Sequence, residues 1–415
     1  MKPLRYLVLC PALEWLKHIA VDTDLNRQTI VILPGTRLEN NTLDALKKQF
    51  GQVKEVRDYK DDKEIERIVK GCYRRFPLEK IIALEEDDIL RAAFLRQVLD
   101  LKGQSYESAL AFRDKIKMKQ ILARKGVCVP SFKEISKETD LFKFVKAQGY
   151  PLILKPSRAT GCQGVYILYD KEDIYAAQNI IKGAEASFYQ VETFVKGEMY
   201  HVDGLVVEGK IACSWPSLYF HPPINMLKGE CASSYLLSPE NPLVVPLNQY
   251  AETILNVMPT PRNTAFHLEF FISQEEKTLI FCEVASRVGG KGINQAWESS
   301  FKINLKTLFV SMQYGMDFPC VHMPSSPSFL AGEVWFPCRA GKVKNIPQDC
   351  PFPWVRQYEV SVKVGETLGL AQNIDRTLGG SPLLEARTEK EMQEKIHLFT
   401  RWFYSTLKMD NPSNP

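Results

Sequence analysis

Short apolar runs alternate with amphipathic stretches over the first part of the chain. Three of these runs are rich in β-branched residues and have the length of strands, namely RYLVLC, TIVILP and KIIALEE. The segments between them include NTLDALKKQF and DKEIERIVKGCYRRF, which have helical character. Such alternation is typical of a parallel sheet, because parallel strands need a crossover connection. The pattern therefore predicts a parallel α/β domain at residues 1–112.

The hydrophobic period changes after this first domain. A helix is predicted within RDKIKMKQILARKGVCVPSF, and Gly126 and Pro130 close it. From Pro151 to about Leu279 the runs have strand period, as in FYQVETFV, YHVDGLVVEGKIACSW, AFHLEFFI and TLIFCEVA, which indicates antiparallel sheet. A last unit follows SSPSF near residue 325 and ends in the helical TEKEMQEKIHLFTRWFYSTLK. We therefore predict two further domains, at residues 113–325 and 326–415, and an α/β (α+β) fold class.

The composition is that of a globular protein, and it narrows the choice of partner. The chain has 415 residues, of which 45% are hydrophobic and 25% charged, and its net charge is +4. Because the basic residues are scattered, we expect no nucleic-acid partner. The cysteines include no C-x-x-C pair, and Glu14 and Lys17 interrupt the N-terminal apolar run. We expect a cytoplasmic protein with reduced thiols and no membrane association.

The common nucleotide and hydrolase motifs are missing from the sequence. It contains no G-x-x-x-x-G-K-[ST], no G-x-G-x-x-G after the first strand, no H-E-x-x-H and no G-x-S-x-G. One suggestive segment is LILKPSRATGCQGVYIL, in which an apolar strand ends on Lys155 before a glycine-containing loop. A bound phosphate would explain this arrangement, and so would an ordinary hairpin whose lysine reaches the solvent.

Two later strands carry acidic residues within apolar runs. With strand period, His267 and Glu269 share one face, and Glu283 and Arg287 share another face that Cys282 opposes. A buried carboxylate is costly unless it is paired or bound to a cation. A divalent ion would bridge two such acids, and oxygen ligands favour magnesium or manganese. A purely structural ion pair between Glu283 and Arg287 is the alternative.

The ordered set of these segments resembles the ATP-grasp superfamily, and more narrowly its carboxylate–amine ligases of the L-amino-acid-ligase and carnosine-synthase type. The resemblance runs through RDKIKMKQIL, LILKP…GCQGVYIL, VETFVKGEMYHVDG, FHLEFF and CEVASRVGG. It implies an ATP-grasp fold with a Rossmann-like pre-ATP-grasp domain, a lid subdomain at about residues 126–190 and a small C-terminal α+β lobe.

The resemblance also implies which residues bind ATP. Lys115 and Lys155 match the two lysines that reach the phosphates. The loop from Ser157 to Gly164 matches the lid over the phosphates, where Gly161 and Gly164 would let backbone amides approach them.

Further along, VETFV resembles the hinge that binds the adenine edge, through backbone groups around Glu192 and Val195 and through the Glu192 carboxylate. Glu198 is the candidate for the ribose, although it stands one position before the commonest spacing.

Metal and catalytic residues follow from the same resemblance. Glu269 and Glu283 match the ligands of Mg²⁺ (or Mn²⁺), and Arg287 matches the arginine that holds the acyl phosphate. The family often has E-x-N-x-R where this chain has Ala285 between Glu283 and Arg287, so a second metal ion would be completed by water or bound more weakly.

Several other polar residues have two interpretations each. His267 is a satisfied strand histidine or a substrate ligand, and His201 with Asp203 forms a structural pair or lines the site. Lys291 and Arg262 are weaker candidates for holding a substrate carboxylate.

The resemblance predicts an ATP-dependent, ADP-forming ligase that activates a carboxylate, such as that of an amino acid, as an acyl phosphate and joins it to an amine. The alternatives are acylation of a carrier-protein thiol, a biotin-carboxylase-like carboxylase and a catalytically silent nucleotide-binding regulator. The sequence does not identify the carboxylate or the acceptor, and the oligomeric state, with a homodimer as one option, stays open.

Overall fold

The computed structural model describes residues 3–19, 22–35, 40–182, 189–316 and 324–410. The strands are β1 (Tyr6–Leu9), β2 (Thr29–Pro34), β3 (Gln52–Val56), β4 (Lys80–Ala83), β5 (Phe132–Ile135), β6 (Leu152–Pro156), β7 (Tyr166–Leu168), β8 (Tyr189–Thr193), β9 (Gly197–Val207), β10 (Lys210–His221), β11 (Ala232–Leu236), β12 (Thr264–Ser273), β13 (Leu279–Ala285), β14 (Leu330–Trp335), β15 (Gly341–Asn345), β16 (Val355–Arg356), β17 (Thr367–Leu368), β18 (Leu383–Ala386) and β19 (Lys408–Asp410).

The α-helices are α1 (Leu16–Ile19), α2 (Thr23–Arg27), α3 (Asn40–Gln49), α4 (Asp62–Tyr73), α5 (Glu86–Val98), α6 (Tyr106–Arg113), α7 (Lys115–Ala123), α8 (Glu138–Gln148), α9 (Lys171–Lys182), α10 (Val244–Val257), α11 (Ile293–Phe301), α12 (Leu305–Tyr314) and α13 (Glu389–Thr406). Short 3-10 helices cover Leu13–Trp15 and Pro223–Lys228.

The N-terminal part is a parallel sheet with the strand order β3-β2-β1-β4. Its strands are the apolar runs of the sequence, and residues such as Leu7, Ile30 and Ile81 are buried in one cluster beneath the helices. The short β-branched strands and the amphipathic α4 fit this architecture, because apolar side chains cover both faces of a parallel sheet. The predicted α/β class is confirmed.

A second sheet has the order β5-β8-β6-β7 and is antiparallel. Helices α8 and α9 pack on it, with Leu141, Ile174 and Leu154 in their common core. The loop between β6 and β7 contains the glycine-containing segment that the sequence analysis singled out. This small unit therefore holds the phosphate-loop candidate on one of its edges.

The largest sheet has eight strands in the order β13-β12-β9-β10-β11-β14-β18-β16. Strand β14 pairs with β11, so the sheet continues across the predicted boundary at residues 325/326. The segment from 326 onwards thus shares a sheet with the preceding segment and adds a smaller sheet, β17-β15-β19, of its own. The division into three domains stays a prediction.

Two further sequence expectations concern the environment of the chain. Nine cysteines lie in the described part of the chain, and all of them are free thiols. Among the described helices, none combines the length and the apolar character that a membrane crossing requires.

Candidate active site

A cavity of about 800 Å³ opens between the second sheet and the eight-stranded sheet. Its lining comes from β6 and β8 on one side and from β9, β12 and β13 on the other. Cavities of this size are typical of small-molecule sites. Of the predicted site residues, the lining includes the following: Lys115, Lys155, Gly161, Glu192, Val195, Glu198, Glu269, Glu283 and Arg287.

The two acidic strands lie next to each other, and their carboxylates share the cavity. Glu269 on β12 is the direct register partner of Glu283 on β13, and the register shifts immediately beyond this pair. Because of this β-bulge, Cys282 and Glu283 both line the cavity. The expectation that Cys282 lies on the face opposite to Glu283 is therefore wrong, since simple strand alternation fails at a bulge.

Glu283 is held ionised by a lysine. Lys115 Nζ lies 2.9 Å from Glu283 Oε2. Burial works against the charge, but Lys115 and Lys155 lower the pKa of Glu283 to about 2. The alternative of a structural pair between Glu283 and Arg287 is not what the structure contains, because Arg287 pairs elsewhere.

Glu269 is fixed by two neighbours on the same face of the sheet. The Tyr219 hydroxyl donates to Glu269 Oε1 at 2.7 Å, and His267 Nε2 lies 3.3 Å from the same oxygen. Two carboxylates on adjacent strands, facing one cavity, present the oxygen ligands that a hard divalent cation prefers. The donor set therefore fits magnesium or manganese.

Lys155 does not stand alone at the end of its strand. Its Nζ lies 2.5 Å from Glu192 Oε1, while Lys119 Nζ lies 2.9 Å from Glu192 Oε2. All three side chains are buried. Burial would raise the pKa of Glu192, but Lys119 and Lys155 hold it below its usual range. Glu192, the carboxylate predicted to accept from the adenine amine, thus lines the cavity as part of a buried group with Lys119 and Lys155.

The phosphate-loop candidates divide into two groups. Gly161 lines the cavity with φ at 58°, whereas Ser157 and Gly164 are not among its lining residues. Ser157 is buried, and its carbonyl accepts from the backbone N–H of Lys115 at 2.9 Å. Gly164 has φ at 68°, and a Cβ there would lie 2.9 Å from a Pro156 ring atom. These two residues shape the loop and its base, and their assignment as direct ligands stays a prediction.

Cys162 and the hinge complete this side of the cavity. Burial raises the pKa of the Cys162 thiol to about 12, so it is no thiolate nucleophile. Val195 and Glu198 line the cavity where β8 leads into β9. Glu198 is exposed and accepts from the Tyr200 hydroxyl at 3.1 Å, which leaves its other oxygen available to a ligand.

Arg287 is anchored by the N-terminal part of the chain. Its Nε lies 2.5 Å from Glu86 Oε2, and Arg113 binds the other oxygen of the same carboxylate at 2.9 Å. Glu86 is the first residue of α5, where the helix N-terminus also favours an acid. The N-terminal part of the chain therefore holds the arginine at the cavity wall.

His201, Asp203 and His267 form a buried polar chain beside the acid pair. Asp203 accepts from His201 Nδ1 at 2.5 Å and from His267 Nδ1 at 2.8 Å, and His201 Nε2 reaches the Ser234 hydroxyl at 2.6 Å. His201 and Asp203 thus have the structural role that was one of their two interpretations. His267 also lines the cavity.

One glycine and two basic residues near the site have different roles. A Cβ at Gly289 would lie 2.6 Å from Asp203 Oδ1, so this glycine makes room for the polar chain. Arg262 is an exposed residue that pairs with Glu208, and the expectation that it holds a substrate carboxylate is wrong. Lys291 lines the cavity and lies 3.5 Å from Asp375.

Some residues of the site had no signal in the sequence. Glu86, Lys119 and Tyr219 belong to ordinary helix and strand patterns, and only their partners in space distinguish them. Trp335 and Ile374 come from the C-terminal part of the chain, far from every motif. The signal that could have identified Lys119 is a charged residue on an otherwise apolar helix face.

The sequence of this chain is similar to those of known ATP-binding proteins and ligases. The family model described as the carbamoyl-phosphate synthase L chain, ATP binding domain, matches residues 114–203. An L-arginine-specific L-amino acid ligase of Bacillus subtilis is 25% identical over 348 residues, which cover 81% of this chain and 82% of that protein.

Solved structures extend the similarity to the whole fold. The L-amino acid ligase of Bacillus licheniformis has a TM-score of 0.70 with 16% identity and full coverage of both chains. The biotin carboxylase domain of the Hydrogenobacter thermophilus 2-oxoglutarate carboxylase, solved as a dimer with MgADP and bicarbonate, has a TM-score of 0.66 with 13% identity over 99% of this chain and 91% of that chain. The chain therefore has the ATP-grasp fold, and over most of its length its sequence is similar to that of an amino acid ligase.

Proposed function

We propose that the protein uses ATP to activate the carboxylate of an amino acid as an acyl phosphate and joins it to an amine, releasing ADP and phosphate. The observation that carries the proposal is the facing pair of Glu269 and Glu283 in a cavity that also receives Lys115, Lys155 and Arg287. Two acids opposite several cations are suited to a triphosphate with its metal ion. The B. subtilis relative supports an amino acid as substrate.

The residues of this chain would position the reactants and balance their charges. A carboxylate oxygen of the substrate attacks the γ-phosphorus of ATP, and ADP leaves. The amine nitrogen then attacks the acyl carbon, phosphate leaves with the carboxylate oxygen, and the amine loses a proton to solvent. Lys115 and Lys155 would hold the phosphates, Arg287 the transferred phosphoryl group, and the loop with Gly161 would exclude water.

Glu269 and Glu283 would hold magnesium or manganese, which supplies charge neutralisation at the phosphates. Val195 and Glu192 would contact the adenine, and Glu198 the ribose. In the structure Lys155 pairs with Glu192, so binding of the phosphates would draw Lys155 towards them while Lys119 keeps Glu192 neutralised.

The other functions considered from the sequence are not favoured. The B. subtilis relative, whose similarity covers 81% of this chain, is an amino acid ligase, which favours an amine over a carrier-protein thiol as the acceptor. The similarity to biotin carboxylases is one of fold. A silent regulator would have no need for the buried cations and acids that the cavity retains.

Loss of the acid or the arginine is expected to abolish turnover without unfolding the protein. We expect Glu283→Gln and Arg287→Ala each to lower kcat at least about 100-fold, because each removes charge stabilisation of the transferred phosphoryl group. The measurement is ADP release with ATP, magnesium and a panel of amino-acid pairs, together with mass detection of the amide product. Thermal unfolding checks the fold of each variant.

The matched control is Glu276→Gln, which makes the same change at an exposed position between β12 and β13. Normal turnover is expected in this control. Wild-type rates in both folded site variants would refute the assignment of the residues, and ADP release that never depends on an amino acid would refute the ligase function.

A further inference from the structure

We infer that Tyr219 and His267 hold one oxygen of Glu269, so that only its other oxygen is offered to the cation, and that this arrangement favours Mg²⁺ over Ca²⁺. The inference rests on the proposed function, because it takes Glu269 as a ligand of the metal ion. It adds two positioning residues and a cation preference to that function. The observations that carry it are hydrogen bonds on the face of the eight-stranded sheet that holds the acid pair.

Both neighbours reach the same oxygen of Glu269. The Tyr219 hydroxyl lies 2.7 Å from Glu269 Oε1, and His267 Nε2 lies 3.3 Å from that atom. Because an ionised carboxylate only accepts hydrogen bonds, the hydroxyl and the ring nitrogen are the donors. Within the described part of the chain, no hydrogen bond or ion pair reaches Oε2 of Glu269. This second oxygen is therefore the one left for a ligand in the cavity.

Tyr219 is held in place independently of its bond to Glu269. It lies on β10, and its hydroxyl reaches across β9 to Glu269 on β12. The Tyr219 ring is buried in a cluster with Met199 and Trp335, and its centroid lies 4.6 Å from that of the His201 ring. A ring that is packed on several sides directs its hydroxyl to one place. The packing of the sheet thus determines which oxygen of Glu269 is held.

His267 is held from its other side by a buried carboxylate. Its Nδ1 lies 2.8 Å from Asp203 Oδ1, while Asp203 Oδ2 accepts from His201 Nδ1 at 2.5 Å. His201 Nε2 in turn lies 2.6 Å from the Ser234 hydroxyl, and all four side chains are buried. The His267 ring therefore cannot turn away from Glu269 without losing its bond to Asp203. Such outer partners commonly fix the orientation of metal ligands.

Glu283 is presented to the cavity in a similar way. Its Oε2 lies 2.9 Å from Lys115 Nζ, and among the described residues this is the one ion pair of the Glu283 carboxylate. While these donors stay in place, the acid pair offers one oxygen from each strand. Magnesium is usually bound by one or two carboxylates together with water and phosphate oxygens, whereas calcium takes more oxygens and often both oxygens of one carboxylate. The arrangement therefore favours the smaller ion.

The test is binding of ADP to the full chain, measured by calorimetry in an excess of Mg²⁺ or of Ca²⁺. This measurement does not depend on turnover. For the wild type we expect the Kd for ADP to be at least about 10-fold lower with Mg²⁺ than with Ca²⁺. Tyr219→Phe removes the hydroxyl and keeps the ring, so it frees Oε1 of Glu269. We expect this variant to lower the preference for Mg²⁺ about 5-fold or more.

His267→Asn separates the two bonds of the imidazole. The asparagine amide has a donor about where Nδ1 faces Asp203, and it has none where Nε2 faces Glu269, so we expect the preference for Mg²⁺ to fall here too. Tyr235→Phe is the matched control, because it removes a buried hydroxyl from the neighbouring strand β11, outside the cavity lining, where the partner is Gln393. This control should keep the wild-type preference. Thermal unfolding checks the fold of each variant.

A double variant tests whether Tyr219 acts through Glu269. In a Glu269→Gln background, the further change Tyr219→Phe should alter the ratio of the two Kd values less than about 2-fold, because the charged ligand that the hydroxyl positions is already gone. An equal effect of Tyr219→Phe in both backgrounds would show that the tyrosine acts by packing alone, which would overturn the inference.

The outcomes separate this inference from the function on which it rests. A wild type that binds ADP equally well with both ions would overturn the inference. The same holds if folded Tyr219→Phe and His267→Asn proteins keep the wild-type preference. In both cases the ligase function stands as long as ADP release depends on an amino acid. A wild type that binds no ADP with either ion would overturn the proposed function and this inference together.

Discussion

At the residue scale, the site depends on buried charged side chains that neutralise one another. Glu192 illustrates this, since both of its oxygens are taken by buried lysines. Removing one partner of a buried ion pair is strongly destabilising, because the other charge is left without compensation. A carboxylate with two lysines can release one of them to a ligand and remain neutralised by the other. We therefore predict that Lys119 frees Lys155 for the phosphates.

Replacement of Lys119 tests this role. In Lys119→Met, Lys155 is the sole remaining counter-ion of Glu192, so we expect it to be held back from the nucleotide and the Kd for ADP to rise about 10-fold. Calorimetric titration with ADP and magnesium measures the effect. Lys117→Met, at an exposed position of the same helix, is the control and should bind ADP normally. Unchanged affinity in a folded Lys119→Met protein would argue against this role.

At the scale of single elements, the central sheet shows how strand geometry places chemistry. The bulge between β12 and β13 turns Cys282 and Glu283 to one side. In the same sheet, β14 lies four strands away from β12 and brings Glu333 into the interior. Glu333 Oε2 accepts from the indole N–H of Trp335 at 2.7 Å and from the backbone N–H of Gly292. Burial raises the pKa of Glu333 to about 7, although these hydrogen bonds offset part of the effect.

This carboxyl group should make stability depend on pH. Between the usual pKa of 4.5 and about 7 the folded protein keeps the proton that the unfolded chain loses. Stability therefore falls as the pH rises through this window, by about 1.4 kcal/mol per pH unit, and levels off above it. Glu333→Gln keeps a neutral acceptor at every pH and should lack this slope.

Thermal unfolding of wild type and Glu333→Gln from pH 5 to pH 8 measures the difference. The stability of Glu333→Gln relative to that of the wild type should increase as the pH rises. Glu394→Gln, an exposed change on α13, should follow the wild type. Parallel curves for Glu333→Gln and the wild type would show that the group titrates normally.

At the scale of the whole molecule, separate regions of the chain contribute to one cavity. Glu86 of α5 binds Arg287 after β13 and Arg113 of α6 at the same time. The parallel N-terminal domain thus orients a residue of the proposed reaction. The C-terminal part contributes Trp335 and Ile374 to the lining of the same cavity.

Glu86→Gln is expected to loosen Arg287 without removing it. Because Arg287 is assigned to the transferred phosphoryl group, kcat should fall about 10-fold or more while KM for ATP changes little. Steady-state kinetics separates the two constants. Asp87→Asn is the control at the adjacent, exposed position, and it should keep nearly normal kcat. A rise in KM alone for Glu86→Gln would assign the pair to nucleotide binding instead.

Local periodicity in the sequence determined a large part of this protein. The parallel N-terminal sheet, the antiparallel strands after it and the placement of Glu269 and Glu283 in strands all follow from spacing, because backbone geometry sets which side chains share a face. The glycine-containing loop after Lys155 was identifiable for the same reason. These features depend on neighbours within a few residues.

Only the tertiary structure decided which groups meet. The bulge that turns Cys282 into the cavity, the pairing of Arg287 with Glu86, and the second lysine on Glu192, Lys119, were not visible in the local pattern. The continuation of the central sheet into β14, which brings Trp335 to the cavity lining, was not visible either. A periodic pattern specifies the face of an element but not the partner that covers it, because that partner is chosen by packing and charge across the whole fold.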